Sequence, residues 1–400
     1  MKILIFSKHF WPENFKINIV AKELVERGHK VTVLTSNTKY YFLNKENFKK
    51  IGWFIYKKNW NGVHIYYLPV YKKKNYSRIN ICLDYFSYLV SAFFYCHFFL
   101  KKKYDIIFVF ATSPIFQAIP AIYFSKLIKK PLFLWVQDLW PESLSDTGYV
   151  TNRFFLSIIK FLVKVIYNLS TVILVQSEGF KKIIKKNFNL KKNIITYYNI
   201  SEIRFQKFML NKNKKLKIIY SGNFGRAQDF ETLIQVINIK KIQDNFYFKL
   251  IGAGKKFNFL KKYITHNNLT KYVKLTNYLS SEKLYKEILK SDALFLTLKR
   301  GVALDKTIPG KFQTYLSFGK PILANCAGIT NNIIKKSNIG FVNFPGRYID
   351  LQNNLVKLLN LSLYKKLLIY KKSKKLYNKY FEIKSNINYL EKIIKIYSKK

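Results

Sequence analysis

The stretch Lys2–Leu34, KILIFSKHFWPENFKINIVAKELVERGHKVTVL, decides the fold. Lys2–Phe6 is a short apolar run that reads as a buried strand. Ser7–Asn14 is polar and loop-like. Phe15–Arg27 then sets Ile17, Val20, Ala21, Leu24 and Val25 on one side of a helix, and Gly28 sits just past its end as a cap. Val31–Leu34 resumes the strand pattern. Strand, helix and strand in this order form a βαβ unit, which predicts a parallel, doubly wound α/β sheet.

The theme recurs along the chain. Ile106–Phe110, Leu132–Val136 and Val172–Val175 read as strands, with helix-like segments at Ile115–Ile128 and Glu178–Lys186. Residues from about Tyr197 to Lys215 are polar and irregular. The pattern restarts with Lys217–Tyr220 (strand), Phe230–Ile237 (helix) and Phe246–Ile251 (strand), then strands at Val273–Leu275, Ala293–Leu296 and Pro321–Ala324. The organisation expected is residues 1–196 as a first Rossmann-like domain, 197–215 as a linker, 216–383 as a second Rossmann-like domain, and 384–400 as a C-terminal helix with Ile387, Leu390, Ile393 and Ile394 in phase.

Composition narrows the function. The chain has 71 Lys and Arg against 21 Asp and Glu, a formal charge of +50, while 49% hydrophobic residues suffice for packed cores. Three cysteines with no CxxC pair point to a reducing compartment. Met1–Phe6 runs directly into the strand pattern, so no secretory signal is expected. The excess of Lys, Asn, Ile, Phe and Tyr fits A/T-rich codons, yet so basic a protein is still drawn to anionic surfaces. Tyr85–Leu100, followed by Lys101, Lys102 and Lys103, is short for a membrane span and suits a buried or interfacial helix. No aromatic–basic interleaving marks a nucleic-acid motif, so none is expected as partner.

Ligands of doubly wound sheets bind at the carboxyl ends of strands, so the loops there matter most. The first carries His9, Trp11, Glu13 and Asn14, with Lys16 and Asn18 at the helix start. After Leu132–Val136 come Gln137, Asp138, Trp140, Pro141 and Glu142; acids are scarce in this chain, and two at a strand end favour a site, although a helix N-cap with a first-turn acid stays open. Gly222, Asn223, Gly225 and Arg226 follow the next domain's first strand and suit a phosphate cradle: close backbone approach, a helix start and one cation. Gly252 and Gly254 end the following strand in a similar loop that lacks the Walker spacing. In Asp305–Pro321, Pro309 suits a helix's first turn and Gly319 its stop; that helix N-terminus and Lys311 together suit a diphosphate, with an ordinary helix between strands as the alternative. No HExxH, CxxC or Asp-x-Asp is present, so no metal site is expected, and no GxSxG elbow supports a serine hydrolase.

HFWPENFKIN, GHKVTVLTS, LWVQDLWPESL, ILVQSEGF, SGNFGRAQDFETL, IGAGKK and TIPGKFQTYLSFGKPIL, in this order, resemble segments of the retaining glycosyltransferases of family 4, over nearly the whole chain. The WPEN and VQDLWPESL wording looks closest to the N-acetyl-L-fucosamine or amino-sugar transferase branch. The resemblance implies a GT-B fold, two Rossmann-like domains facing across a cleft with the C-terminal helix crossing back to the first. It implies a UDP- or GDP-sugar donor as substrate, no cofactor, a polyprenyl-diphosphate-linked glycan as acceptor, and work at the cytoplasmic face of an anionic membrane in surface-polysaccharide synthesis. It sets Gly222, Asn223, Gly225, Arg226, Gly252, Gly254, Thr307, Ile308, Pro309, Gly310 and Thr314 on the donor and His9, Trp11, Glu13, Asn14, Asn18 and Glu142 on the acceptor. Gln137, Asp138 and Lys311 take the catalytic positions. The sequence departs from the family where its paired glutamates fall on Lys306 and Thr314, where its active-site histidine falls on Gln137, and where its Gly-Gly falls on Phe15-Lys16. A same-fold sugar-nucleotide epimerase and a non-catalytic nucleotide-sugar-binding subunit are the alternatives.

Overall fold

The computed structural model describes residues 1–37, 49–51, 55–71, 77–101, 103–190, 192–211 and 214–398. Lys102 of the lysine run lies outside the described residues, as do 212–213 of the expected linker and 399–400 of the expected terminal helix. The chain divides into two units, Met1–Pro141 with Val150–Tyr198 and Asn386–Lys400, and Glu142–Tyr149 with Asn199–Ser385.

Among the described residues, the first unit's sheet runs Lys49–Ile51, Ile55–Trp60, Val63–Leu68, Lys30–Ser36, Lys2–Phe6, Ile106–Ala111, Leu132–Val136, Val172–Val175 and Asn193–Thr196. Its central strands are apolar on both faces, as parallel strands covered by helices must be, and Ile3–Phe6 and Leu132–Val136 are fully buried. The first two pairings, starting from Lys49–Ile51, are antiparallel, an addition to the doubly wound core that the sequence reading did not include. Strand order reverses between Lys2–Phe6 and Ile106–Ala111, so their carboxyl ends are where this unit's ligand crevice lies.

Two helices differ from expectation. Tyr85–Phe98 of the apolar run belongs to a helix that begins earlier, Arg78–Phe98, whose N-cap Ser77 accepts a hydrogen bond from the Asn80 N–H, while Phe99 and Leu100 lie past its end. Arg153–Leu169 is a helix the sequence reading did not include, although Arg153, Ser157, Lys160 and Lys164 recur along it at helical spacing. The first of these helices is bound by charge to the loop after the central strand Lys2–Phe6. Lys8 Nζ lies 2.7 Å from Asp84 Oδ1, and both side chains are buried. The terminal helix Ile383–Ser398 crosses back to this unit, where Glu391 pairs with Arg27 at 2.8 Å and His29 at 2.9 Å and Ile387, Leu390, Ile393 and Ile394 are buried.

The second unit's sheet is wholly parallel, in the order Val273–Thr276, Phe246–Ile251, Leu216–Ser221, Ala293–Thr297, Ile322–Asn325 and Gly340–Asn343. Ile218, Tyr220, Phe248 and Phe295 bury against helix residues Phe230, Leu233 and Leu355. Here the order reverses between Leu216–Ser221 and Ala293–Thr297. Residues Glu142–Tyr149 belong to this unit although they fall within the 1–196 span expected for the first domain. The cause is Asp146, whose carboxylate accepts the backbone N–H groups of Val302 (3.0 Å), Ala303 (2.6 Å) and Leu304 (3.1 Å).

Asp84→Ala leaves the Lys8 ammonium buried without its carboxylate, at an expected cost of about 3–5 kcal/mol. Denaturant unfolding of the first unit checks this; a loss near zero would mean that the pair does not hold the helix.

Candidate functional site

In the second unit the predicted donor residues come together at the switch point. Leu216–Ser221 ends in the loop Gly222–Arg226, and Phe246–Ile251 ends in the loop Gly252–Lys255. The loops are in direct contact: Phe224 N–H donates to Ala253 O (2.8 Å) and Lys256 N–H to Phe224 O (2.9 Å). Only glycine fits several of these positions. Gly252 has φ +148°, and a Cβ there would lie 1.9 Å from Gly222 O; at Gly254, with φ +145°, it would lie 2.4 Å from Asn223 Oδ1.

The third part is the helix Gly310–Ser317, which begins after Pro309 and opens the run that follows Ala293–Thr297. Ile308 and Pro309 are buried, and Thr330 Oγ1 donates to Thr307 O at 3.0 Å, so the approach to the helix is fixed. Lys311, in the first turn, reaches back across the switch point. Its Nζ donates to Tyr220 Oη at 2.5 Å and stands 3.7 Å from the Tyr220 ring centroid. A Cβ at Gly222 would lie 3.0 Å from the same Nζ. Burial pulls the Lys311 pKa down to about 7. Thr314 lies one turn further along this helix, half-buried.

Arg226 and Lys255 are exposed, and both lie against one ring: the Tyr149 centroid is 5.7 Å from Arg226 Cζ and 5.6 Å from Lys255 Nζ. Two cations on adjacent glycine loops repel each other, and an anion between them relieves that repulsion. Tyr149, Tyr220 and Asp146 were not singled out by sequence reasoning, because none stands inside a recognisable motif. Asp229 was also missed. It accepts from Thr232 Oγ1 (2.6 Å), Asn325 Nδ2 (3.0 Å) and the Gly346 N–H (3.0 Å). Burial works to raise its pKa, but these hydrogen bonds prevail and hold it below the usual carboxylate range. Its signal was present, since Asp229 followed three residues later by Thr232 precedes an apolar helix.

The first unit gathers the other predicted residues at its own strand ends. His9 Nδ1 is 2.8 Å from Glu13 Oε2, Asn18 Nδ2 donates to Glu13 O (2.7 Å), and Trp11 stacks on Trp60 with ring centroids 6.0 Å apart. Asn14 is exposed beside them. Asp138 Oδ2 accepts from Ser113 N–H (2.9 Å) and Ser113 Oγ (2.7 Å), and Trp140 Nε1 donates to the same hydroxyl (2.9 Å). Burial pushes the Asp138 carboxyl up, and Ser113 only partly offsets this. Gln137 is fixed through its backbone, which accepts from Gln176 Nε2 (2.6 Å), while its own side-chain Nε2 is buried without a hydrogen-bond partner. Glu142 belongs to the second unit, at the start of the short helix Glu142–Asp146. Among the described residues no group of three or more His, Cys, Asp or Glu side chains is arranged to hold a metal ion.

Residues 201–376, within the second unit, match the family model described as glycosyl transferases group 1. No curated protein sequence matches the chain. Solved structures with the same fold include Alr3699/HepE of Anabaena in complex with UDP-glucose (12% identity, 99% of each chain covered, TM-score 0.71). Sucrose-phosphate synthase of Thermosynechococcus elongatus (11% identity, 98% of each chain, TM-score 0.74) and TarM of S. aureus in complex with UDP, fondaparinux and α-GlcNAc-glycerol (14% identity, 99% of each chain, TM-score 0.65) are also similar. The fold is therefore GT-B: two Rossmann-like α/β units of the glycosyltransferase type.

Gly252→Ala is expected to destabilise the second unit by about 1–3 kcal/mol or more through its positive φ and the clash with Gly222 O. A melting temperature equal to that of the unmodified chain would show that the two loops do not depend on this contact.

Proposed function

We propose that this chain is a retaining glycosyltransferase that moves a sugar from a UDP- or GDP-linked donor to a polyprenyl-diphosphate-linked glycan. It works in surface-polysaccharide synthesis at the cytoplasmic face of the membrane. The observation that carries the donor half is Lys311, a half-buried ammonium at a helix N-terminus beside two glycine loops. A cation stripped of water is costly unless an anion meets it, and a nucleoside diphosphate supplies that anion. The match of residues 201–376 to glycosyl transferases group 1 supports the same half.

In the reaction the bond between the sugar's anomeric carbon and the diphosphate oxygen breaks, and a bond to the acceptor oxygen forms on the same face. The acceptor's proton passes to the departing phosphate. Lys311, Arg226 and the N–H groups at Gly310 stabilise the negative charge that grows on the leaving group, so the scheme requires no metal and no protein nucleophile. In this scheme the Gln137 amide, which has a buried donor to spare, holds a sugar hydroxyl rather than a proton in flight. The apolar outer face of Arg78–Phe98 supports an acceptor carried on lipid.

The direct test is a thermal-shift panel of UDP, GDP and their sugars, followed by turnover with a lipid-linked acceptor and EDTA present. Stabilisation by one nucleotide, and transfer unaffected by EDTA, is expected. Lys311→Ala and Arg226→Ala should each lower turnover about 10²–10³-fold. Sugar release without acceptor would instead identify the epimerase reading, and binding without any turnover the non-catalytic one.

Nucleotide affinity should depend on pH with a defined sign. Free Lys311 loses its proton as pH rises through about 7, and a bound diphosphate favours the protonated form. Binding therefore takes up a proton above that pH, and affinity falls as pH rises. Calorimetry at pH values on either side, in buffers of different ionisation enthalpy, reads both; a pH-independent affinity would remove Lys311 from the diphosphate.

A further inference from the structure

We infer that the first unit docks on an anionic lipid bilayer through one face built by three helices. The inference concerns a surface of that unit alone and does not rest on the glycosyl-transfer reading.

The helix Arg78–Phe98 has two unlike jobs. One side packs inward through Asp84, Tyr88, Ala92, Tyr95 and Cys96, all buried. A soluble helix turns a polar face outward. This one turns out Leu83, Phe86, Val90, Phe94 and Phe98, with Phe86 65% exposed. It is long and apolar enough to cross a membrane, but the buried Lys8–Asp84 pair and the bond from Tyr88 Oη to Leu34 O hold it to the sheet. That geometry fits a helix lying in the interface rather than spanning.

Arg153–Leu169 repeats the arrangement. Val163, Ile166 and Tyr167 face the unit, while Phe154, Phe155, Ile158, Phe161, Leu162 and Val165 face solvent. Ala118–Leu127 packs against both helices and adds exposed Ile119 and Leu127. Its Tyr123 ring lies 4.3 Å from that of Phe93, so the three outer surfaces adjoin. Soluble monomers rarely leave an apolar face this broad open.

Charge decides between occupants. The three helices contain one acid between them, Asp84, and it is buried against Lys8. Exposed Arg153, Lys160 and Lys164 stand at helical spacing along one edge of the second helix's apolar face, and exposed Lys126, Lys129 and Lys130 end the middle helix. Apolar side chains rimmed by cations, with no exposed acid on the three helices, complement acyl chains beneath anionic headgroups. A second copy would bring the same cations against each other.

The experiment uses the full chain and vesicles of phosphatidylcholine, alone or with phosphatidylglycerol at about 7:3. Co-sedimentation with the anionic vesicles is expected. Phe94→Ser with Phe155→Ser and Phe161→Ser, which leave charge unchanged, should weaken partitioning about tenfold or more at an unchanged melting temperature. Lys126→Gln with Lys160→Gln and Lys164→Gln should weaken it similarly, while Lys365→Gln with Lys371→Gln and Lys375→Gln, exposed on the second unit, should not. A readout independent of variants is built in. Cys82 is exposed on the outer side of Arg78–Phe98, whereas Cys96 and Cys326 are buried, so a polarity-sensitive dye on Cys82 should shift to the blue with anionic vesicles. No blue shift, equal loss from both lysine sets, or a lipid-free dimer that the serine variant dissociates would overturn the inference.

Discussion

A half-buried lysine ammonium at the switch point of a parallel sheet is the constraint on which the second unit depends. Lys311 Nζ sits on the Tyr220 ring and its hydroxyl, and no side chain can occupy position 222 without meeting it. Gly252 in turn must lack a Cβ because Gly222 O fills that space. The glycine loops are thus linked steps of one packing problem: each close backbone approach makes room for the next, and the last makes room for the cation. Tyr315 joins the same set, one turn further along the face of the helix that carries Lys311, accepting the Ser221 N–H at 2.7 Å.

The first unit solves a related problem with hydrogen bonds instead of glycines. Its strand-end loops are cross-linked by buried amides and one carboxylate. Gln117 Oε1 accepts the Lys8 N–H at 2.9 Å while its Nε2 donates to Thr112 O at 2.9 Å, which joins the loop after Lys2–Phe6 to that after Ile106–Ala111. Asp138 and Ser113 join the latter to the loop after Leu132–Val136. A crevice framed in this way is rigid, which is what precise placement of a polar ligand needs. Within this frame the Gln137 side-chain Nε2 is buried without a hydrogen-bond partner.

Much of the fold was legible because parallel central strands are short unbroken apolar runs punctuated by helix caps. Leu132–Val136, Val172–Val175 and Phe246–Ile251 have in the structure the bounds read from sequence. The antiparallel edge was not read, although Asn61-Gly62, both at positive φ, is the tight-turn pair of a hairpin; the lysines and tyrosines around it obscured the alternation. Arg153–Leu169 was not read, although its polar stripe of Arg153, Ser157, Lys160 and Lys164 at helical spacing was present in the sequence. The transfer of Glu142–Tyr149 to the second unit goes with long-range contacts, the Asp146 carboxylate on the Val302–Leu304 N–H groups and the Tyr149 ring under Arg226 and Lys255, which no local pattern can report. Within the proposed donor site, the glycines and Lys311 were readable from strand ends and helix starts. The aromatic groups that seat the cations, Tyr220 and Tyr149, were not, since one reads as core and the other as loop.

The central claim is that Lys311 is a cation held ready for a diphosphate. Its titration can be followed directly through the side-chain carbon next to Nζ, by NMR of selectively labelled lysine assigned with Lys311→Arg, with and without UDP. The account predicts a free-state pKa near 7 that rises well above neutrality when the nucleotide binds. An ordinary lysine pKa in both states, or no change on adding a nucleotide that demonstrably binds, would contradict it.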